Sequence, residues 1–301
     1  MTALADTQLW TALITPMQDD GNLDFDGLAK CVQQQQEANN GILLIGSTGE
    51  GLALTNIEKQ QVVEYVVAMQ PTVPIMVGVG GAQLEEQLEW IAFCETQPVD
   101  AYLLVTPLYA KPGPKGQIAW FKALLDAVSK PCMLYNVPSR TGVAMHADVL
   151  KALAGHRYLW AVKEASGSLD DFQAYRAANP QLAFFSGEDG LMPELAKLGA
   201  QGLVSVVSNV WPQATHRYVQ QCVEGTLAQS SIDLWKAASA ALFMVSNPIP
   251  AKALLAHRGW LQSATLRLPL VAEELEDLSE LLQADQTVAG WLMQNMEASV
   301  A

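Results

Sequence analysis

The sequence predicts an α/β fold, a closed (β/α)8 barrel of the TIM type with a C-terminal helical extension. Short apolar runs alternate with stretches of helical periodicity as far as about Glu224, and this alternation is typical of a parallel sheet with right-handed crossovers. Eight such units favour a closed barrel. Beyond Glu224 the periodicity is only helical. We therefore predict a catalytic barrel over residues 1–224 and a helical region over residues 225–301.

The predicted strands are short, rich in Val, Ile, Leu and Tyr, and bounded by Gly, Pro or Asn, as is typical of buried strands. They are Leu9–Ile14, Ile42–Gly46, Ile75–Val79, Tyr102–Thr106, Met133–Asn136, Leu159–Lys163, Ala183–Ser186 and Leu203–Val207. The alternative is an open, doubly wound sheet, which a Gly-x-Gly-x-x-Gly turn after the first strand would favour. That strand runs instead into Ile14-Thr15-Pro16, so the closed barrel is the preferred prediction.

The predicted helices have apolar residues at helical spacing with polar residues opposite. In the barrel the clearest are Asp24–Asn39, Thr55–Met69 and Gln83–Thr96, and in the C-terminal region they are Leu227–Val245, Ala251–His257, Val271–Gln283 and a shorter one near Val288–Met296. Thr55 followed by Glu58 predicts a capping box. Asn247-Pro248-Ile249-Pro250 interrupts the C-terminal helices.

Composition excludes several classes of function. A net charge of −14 disfavours nucleic acid and anionic lipid as partners, and no apolar run is long enough to span a membrane. The four cysteines are widely spaced and form no C-x-x-C pair, as is typical of a reducing compartment. The four histidines are also far apart, so we expect no metal site. The N-terminus lacks the pattern of a signal peptide, and we expect a cytoplasmic protein.

Lys163 has the clearest chemical meaning, because it ends the apolar run Leu159-Trp160-Ala161-Val162-Lys163. Lysine is rarely buried completely, and burial lowers the pKa of its ammonium group. A desolvated, neutral amine is suited to form a Schiff base with a carbonyl substrate. The alternatives are a lysine at a strand end that reaches solvent, or an ion pair with Glu164.

Barrel enzymes carry their chemistry at the carboxyl ends of the strands, and polar residues follow several predicted strands at that end. They are Ser47, Thr48, Tyr109, Tyr135, Lys163 and Gly187. Tyr135 with Ser47 and Tyr109 would form a chain of hydroxyl groups that passes protons. Thr48 and the amides of the Gly46–Gly49 turn would bind a carboxylate.

Arg140, in Pro138-Ser139-Arg140-Thr141-Gly142, would grip a second carboxylate through its planar guanidinium group. Each of these residues also has a structural interpretation. Ser47 and Thr48 suit a turn, the two tyrosines suit the rim of a barrel, and Arg140 suits an exposed surface or an ion pair between subunits. Their coincidence at one barrel face favours the chemical interpretation.

Four segments in this order resemble the dihydrodipicolinate synthase/N-acetylneuraminate lyase family of lysine-dependent class I aldolases. They are Gly46-Ser47-Thr48-Gly49-Glu50, Val105-Thr106-Pro107-Leu108-Tyr109, Leu134–Gly142 and Val162-Lys163-Glu164-Ala165-Ser166-Gly167. The likeness covers nearly the whole chain. Ser139–Gly142, Asn247–Lys252 and Thr265–Pro269 are most similar to the dihydrodipicolinate synthase branch.

The resemblance implies a condensation of pyruvate with L-aspartate 4-semialdehyde to give 4-hydroxy-tetrahydrodipicolinate, a step of lysine and diaminopimelate biosynthesis. Lys163 would form the imine, and Tyr135, Ser47 and a Tyr109 from a neighbouring subunit would relay protons. Thr48, Gly187 and the carbonyl of Val204 would line the pyruvate site, with Arg140 on the semialdehyde carboxylate. The resemblance also implies a homotetramer, built as a dimer of dimers, that needs no cofactor.

Two departures from the family pattern qualify this interpretation. Ser47 stands where this branch usually has threonine and the sialic-acid lyases commonly have serine. At the positions of the family's lysine-inhibition pocket the chain has Asn56, Lys59, Ala82 and Leu108, with Glu86 as the one matching carboxylate. Since Lys59 would repel a lysine ligand, we expect weak or absent lysine inhibition.

Two other functions remain open from the sequence. One is another pyruvate-dependent aldolase, such as an N-acetylneuraminate or 2-keto-3-deoxy sugar acid lyase. Arg140 argues against it, because an arginine suits a small substrate that ends in a carboxylate better than a long polyol. The other is a barrel that binds a keto acid without turnover, which the complete set of lysine, tyrosine and hydroxyl residues disfavours. The barrel fold alone does not choose between them.

Overall fold

A computed structural model describes residues 4 and 6–297 and confirms the predicted barrel. Eight parallel strands close on themselves in chain order, with β8 paired to β1. They are β1 (Leu9–Ala12), β2 (Gly41–Leu44), β3 (Ile75–Val79), β4 (Ala101–Val105), β5 (Cys132–Asn136), β6 (Leu159–Glu164), β7 (Ala183–Ser186) and β8 (Gly202–Ser205). Each overlaps one predicted run, and the remaining differences lie at the strand ends.

The helices follow the strands in the order expected of a (β/α)8 barrel. Through Glu224 they are α1 (Phe25–Glu37), α2 (Asn56–Ala68), α3 (Leu84–Glu95), α4 (Pro114–Asp126), α5 (Pro138–Thr141), α6 (Ala147–Ala152), α7 (Leu169–Ala178), α8 (Met192–Lys197) and α9 (Pro212–Glu224). After it come α10 (Gln229–Ala241), α11 (Ile249–His257) and α12 (Ser279–Glu297). None of the helices described is both long and apolar enough to cross a bilayer.

Local sequence signals explain where several helices begin. The predicted capping box is present at α2, where the Thr55 hydroxyl accepts from the Glu58 amide and the Glu58 carboxylate accepts from the Thr55 amide. Asp24 caps α1 by accepting from the Gly27 amide. Such caps satisfy amide groups that have no partner inside the helix. The turns before these helices are thereby fixed, and the turn before α2 carries the predicted site residues Ser47 and Thr48.

Two apolar clusters form the core. The larger lies between the strands and the surrounding helices and includes Val62, Phe121 and Leu203. The smaller fills the barrel, and its main members are Trp10, Leu43, Met76, Leu103, Met133, Tyr135, Ala161, Ala165, Phe185 and Val204. Side chains alternate between the two faces of a strand. Lys163, two positions from Ala161 and from Ala165, therefore points into the barrel.

One helix prediction in the C-terminal region is wrong. The run Val271–Gln283 contains only a short 3-10 turn, Ala272–Glu274, before α12 begins at Ser279. The Asp277 carboxylate accepts hydrogen bonds from the Ser279 amide and hydroxyl, and this contact favours a helix start in the middle of the predicted run. Helix α12 then continues to Glu297 and includes the short helix predicted near Val288–Met296.

Candidate active site

Lys163 lies near the carboxyl end of β6 with only 5 % of its surface exposed. Tyr135 on β5 is its register partner, and the Lys163 Nζ lies 4.1 Å from the centre of the Tyr135 ring. Burial lowers the pKa of Lys163 to about 8, against the opposing effect of the Asp189 and Glu188 carboxylates. A much larger share of this amine is neutral near pH 7 than for a lysine in water.

The structural alternatives for Lys163 do not fit its surroundings. Its low exposure excludes a side chain that reaches bulk solvent. The neighbouring carboxylate of Glu164 is bound elsewhere, because it accepts from Asn136 Nδ2 at 2.8 Å and from the Ser166 amide at 2.6 Å. Burial raises the pKa of Glu164, and these two hydrogen bonds oppose that rise. Glu164 therefore fixes the end of β6 rather than pairing with the lysine.

The ring of Tyr135 lies against the Lys163 amine. The ring is buried, and burial raises the pKa of the Tyr135 phenol. The Arg140 guanidinium and a hydrogen bond with the Ser47 side chain partly offset this effect on the pKa. The phenol is therefore a neutral group at physiological pH, able to donate one proton while accepting another.

The turn after β2 carries Ser47 and Thr48. Thr48 is buried, and its Oγ1 accepts from Asn247 Nδ2 at 3.0 Å. Gly49 is required where it stands, because a Cβ there would lie 2.9 Å from the Leu13 carbonyl oxygen. That carbonyl belongs to the segment after β1, so the turn is packed directly against the neighbouring strand end.

Arg140 and Tyr109 lie at the outer edge of the site. Arg140 is exposed in α5, directly after β5, and its Nη2 is 3.5 Å from the Asn247 carbonyl oxygen. Tyr109 has 92 % of its surface exposed, and its amide donates to the Thr141 carbonyl at 3.2 Å.

Gly187 lies close to Lys163, and Val204 lies in the barrel interior. A Cβ at Gly187 would lie 2.9 Å from Lys163 Cε and 2.6 Å from the Ala165 Cβ, so only glycine leaves the lysine its position. Val204 is fully buried in β8, where it pairs with Trp10.

A cavity of about 890 Å³ opens at this end of the barrel. Four of the predicted residues line it, namely Ser47, Tyr109, Tyr135 and Arg140. Thr48, Lys163, Gly187 and Val204 are not part of that lining. Lys163 contacts the ring of Tyr135, a residue of the lining, so the buried amine is next to the cavity.

Sequence reasoning missed three polar residues at the site. Burial raises the pKa of Glu188 to about 7, with the Asp189 carboxylate adding to the rise and Lys163 opposing it. Asp189 is buried and accepts from Ser205 Oγ at 2.5 Å. Both acids follow shortly after β7. They could have been predicted, because barrel enzymes carry their chemistry at the carboxyl ends of the strands. Asn247 belongs to the C-terminal helical region, where no pattern in the sequence indicates contact with the site.

Comparison with known proteins agrees with this geometry. A family model described as the dihydrodipicolinate synthetase family matches residues 6–287. The chain belongs to this family. It is 51% identical over 284 residues to a 4-hydroxy-tetrahydrodipicolinate synthase from Francisella tularensis subsp. novicida, covering 94% of this chain and 96% of that protein. A protein of the same name from Wolbachia pipientis subsp. Culex pipiens is 44% identical, covering 95% and 97%.

Solved structures of family members share the same fold. The 4-hydroxy-tetrahydrodipicolinate synthase of Methylacidiphilum fumariolicum SolV superimposes with a TM-score of 0.90 at 30% identity, over 96% of this chain and 97% of that one. The dihydrodipicolinate synthase of Acinetobacter baumannii, solved in complex with pyruvate, gives a TM-score of 0.87 at 32% identity, over 94% and 99%. The barrel with its C-terminal helices is thus the architecture of the family.

Proposed function

We propose that this protein condenses pyruvate with L-aspartate 4-semialdehyde to give 4-hydroxy-tetrahydrodipicolinate, the activity for which its curated relatives are named. One observation carries the proposal. A lysine amine, buried in the barrel and with its pKa lowered to about 8, lies against the ring of a buried tyrosine beside a cavity. This is the arrangement that imine formation with a keto acid requires.

The reaction begins with the neutral amine of Lys163. Its nitrogen adds to the ketone carbon of pyruvate, and the resulting carbinolamine loses water to give a protonated imine. Loss of a methyl proton forms an enamine, whose carbon attacks the aldehyde carbon of the semialdehyde, and the aldehyde oxygen takes up a proton. The amino group of the second substrate then attacks the imine carbon, which closes the ring and releases Lys163.

Tyr135 is proposed as the central proton carrier of these steps. Its phenol is buried next to the amine and interacts with the Ser47 side chain. A serine in place of the branch's usual threonine keeps the hydroxyl, so this departure leaves the relay complete. Tyr109 is proposed as the third member, supplied by a neighbouring subunit.

The remaining residues are proposed to bind the two substrates. Thr48 and the amides of its turn would hold the pyruvate carboxylate, with Gly187 and the Val204 carbonyl lining the same site. Arg140, at the outer edge of the cavity, would bind the carboxylate of the semialdehyde. An arginine in the cavity lining favours a short, carboxylate-bearing aldehyde over a long sugar acid.

We also propose a homotetramer, a dimer of dimers, in the cytoplasm. Exposed apolar side chains support a subunit contact near the cavity, since Leu52 and Ile57 are 66% and 68% exposed and lie close in sequence to the turn that borders it. Burial of such exposed apolar side chains would favour association at this end of the barrel.

Weak or absent inhibition by L-lysine is proposed from the same region. Lys59 and Leu108 line the cavity, and burial lowers the pKa of Lys59 while Glu86 opposes this. A cation that is already half-buried disfavours a second cation beside it. Sub-millimolar L-lysine should therefore leave turnover unchanged in a steady-state assay, whereas inhibition in that range would contradict the proposal.

The chemical class is tested by trapping the imine. Incubation with pyruvate and borohydride should add a reduced three-carbon adduct to the peptide that contains Lys163, as mapped by mass spectrometry. Lys163→Ala should abolish both the adduct and turnover, because no other amine is available at that position, while Lys151→Ala, on the exposed face of α6, should retain both. Assays with aspartate semialdehyde and with N-acetylneuraminate then separate the two aldolase branches.

A further inference from the structure

The turn between β2 and α2, residues 45–51, adopts a backbone that its own sequence does not favour. Ile45 and Glu50 both have positive φ values, 58° and 54°, which side chains with a Cβ rarely adopt. Such conformations persist only where the surrounding structure holds them. Two hydrogen bonds lie within the turn, from the Glu50 amide to the Ser47 carbonyl and from the Gly51 amide to the Gly46 carbonyl, both 3.1 Å long.

The strongest contacts that hold this turn come from the C-terminal helical region. The Glu50 Oε1 accepts from Lys252 Nζ at 2.5 Å, and both side chains are almost completely buried. The Glu50 Oε2 accepts from the Arg267 amide at 2.7 Å. Lys252 also donates to the Thr265 carbonyl at 2.9 Å. Both carboxylate oxygens of a residue in the turn are therefore bound by residues that follow the barrel in sequence.

Asn247 makes a second connection to the same turn. Its side-chain Nδ2 donates to Thr48 Oγ1, and its main-chain oxygen lies 3.5 Å from Arg140 Nη2. The side-chain Oδ1 of Asn247 is buried and has no protein partner among the described residues. One residue of the C-terminal region thus contacts both of the residues proposed to bind substrate carboxylates.

We infer that Glu50, Lys252 and Asn247 are positioning residues of the active site, which fasten the turn bearing Ser47 and Thr48 to the C-terminal helical region. This inference rests on the proposed function for its effect on turnover. The physical reason is that the turn has two unfavourable backbone conformations and only one large apolar side chain, Ile45, packed in the core. Without the buried ion pair, the Ser47 hydroxyl and the Thr48 hydroxyl and amide lose their place beside Tyr135.

The test uses Lys252→Met, which keeps an unbranched side chain of similar size and removes its charge. We expect kcat/KM for pyruvate to fall about 10- to 100-fold, mainly through a higher KM, because small displacements of binding groups have effects of this size. The matched control is Lys236→Met. Lys236 pairs with Glu194 at 2.6 Å and joins α10 to α8, away from the turn, so we expect a change of less than about twofold.

A second variant distinguishes a misplaced turn from simple unfolding of the protein. Glu50→Gln combined with Lys252→Met removes both charges and leaves no unpaired buried ion, so it should fold and should recover part of the loss seen with Lys252→Met alone. Asn247→Ala should also raise the KM for pyruvate while leaving the folded fraction unchanged. A purely structural role would lower the unfolding temperature of these variants without changing kcat or KM per folded molecule, and that result would overturn the inference.

Hydrogen–deuterium exchange provides a readout that does not depend on the reaction. Lys252→Met should increase exchange of the amides between residues 46 and 51, and Lys236→Met should not. Suppose that the wild-type protein fails to condense its proposed substrates but that the two variants show this difference in exchange. The proposed function would then fail, and the inference that the C-terminal region fastens the turn would stand. Equal exchange in both variants, in an enzyme that is active, would overturn the inference alone.

Discussion

At the scale of single residues, the site is organised by what burial does to two ionisable groups. Burial lowers the pKa of Lys163 to about 8, which favours the neutral nucleophile, and raises the pKa of Tyr135, which keeps the phenol protonated. Both shifts have the same cause, the loss of water around a charged form. A neutral amine and a neutral phenol can therefore lie side by side in the barrel without a buried charge.

The rate of imine formation should therefore depend on pH through Lys163. Since the neutral amine is the reactive form, the rate should increase as the pH rises through about 8. At lower pH the amine is protonated, and the rate should be lower. Glu188→Gln should move this rise to lower pH, because the Glu188 carboxylate is one of the charges that raise the pKa of Lys163. The measurement is the rate at which the borohydride-trapped adduct with pyruvate forms from about pH 6 to about pH 9. This range includes the lowered pKa of Lys163, about 8.

Glu224→Gln is the matched control for that experiment, because Glu224 is exposed at the end of α9. It should leave the pH profile of the wild type unchanged. A profile for Glu188→Gln that stays in place, or moves to higher pH, would show that the carboxylate does not act on the amine in the way described.

At the scale of elements, the barrel could be predicted because its strands are buried on both faces and therefore read as short apolar runs. In the C-terminal region the helix predicted over Val271–Gln283 was wrong, since its start depends on the side-chain contact of Asp277 with Ser279. For the site, position at strand ends identified Lys163 and Tyr135. Asn247 was missed because its contact with Thr48 joins residues 199 positions apart, which no local pattern encodes.

The capping box of α2 gives a prediction at this scale. Thr55→Ala removes the hydroxyl that accepts from the Glu58 amide at 3.2 Å, and should lower the free energy of unfolding by about 1 kcal/mol. Thr55→Ser should keep the stability of the wild type. Urea unfolding followed by circular dichroism at one fixed protein concentration measures the difference, since association would otherwise shift the midpoint.

Ser168→Ala provides the comparison for that measurement. Ser168 caps α7 by accepting from the Asp171 amide at 3.1 Å, without a reciprocal carboxylate bond. Its loss should therefore cost less than the loss of Thr55. If Thr55→Ala were as stable as the wild type, or if Ser168→Ala cost more, the capping box would not be the feature that fixes the start of α2.

At the scale of the whole molecule, the exposure of Tyr109 suits a site that two subunits share. Tyr109, which is proposed for the proton relay, lines the cavity together with Ser47 and Tyr135, yet 92 % of its surface is exposed. An exposed tyrosine beside a cavity mouth fits insertion into the site of a symmetry-related subunit. In a two-fold dimer each chain would then donate its tyrosine to the other.

Mixed oligomers test this arrangement. Lys163→Ala and Tyr109→Phe should each have little activity alone, one for want of the amine and the other for want of the relay hydroxyl. In a hybrid dimer, the chain with the intact Lys163 receives Tyr109 from its partner, so one complete site is restored. Random co-assembly should recover about a quarter of the wild-type activity, because half of the dimers are hybrids and half of their sites are complete.

If each tyrosine served its own chain, every site in the hybrid would lack one group and mixing would recover nothing. Co-expression of the two variants with different affinity tags, followed by tandem purification, isolates the hybrid and decides between these results.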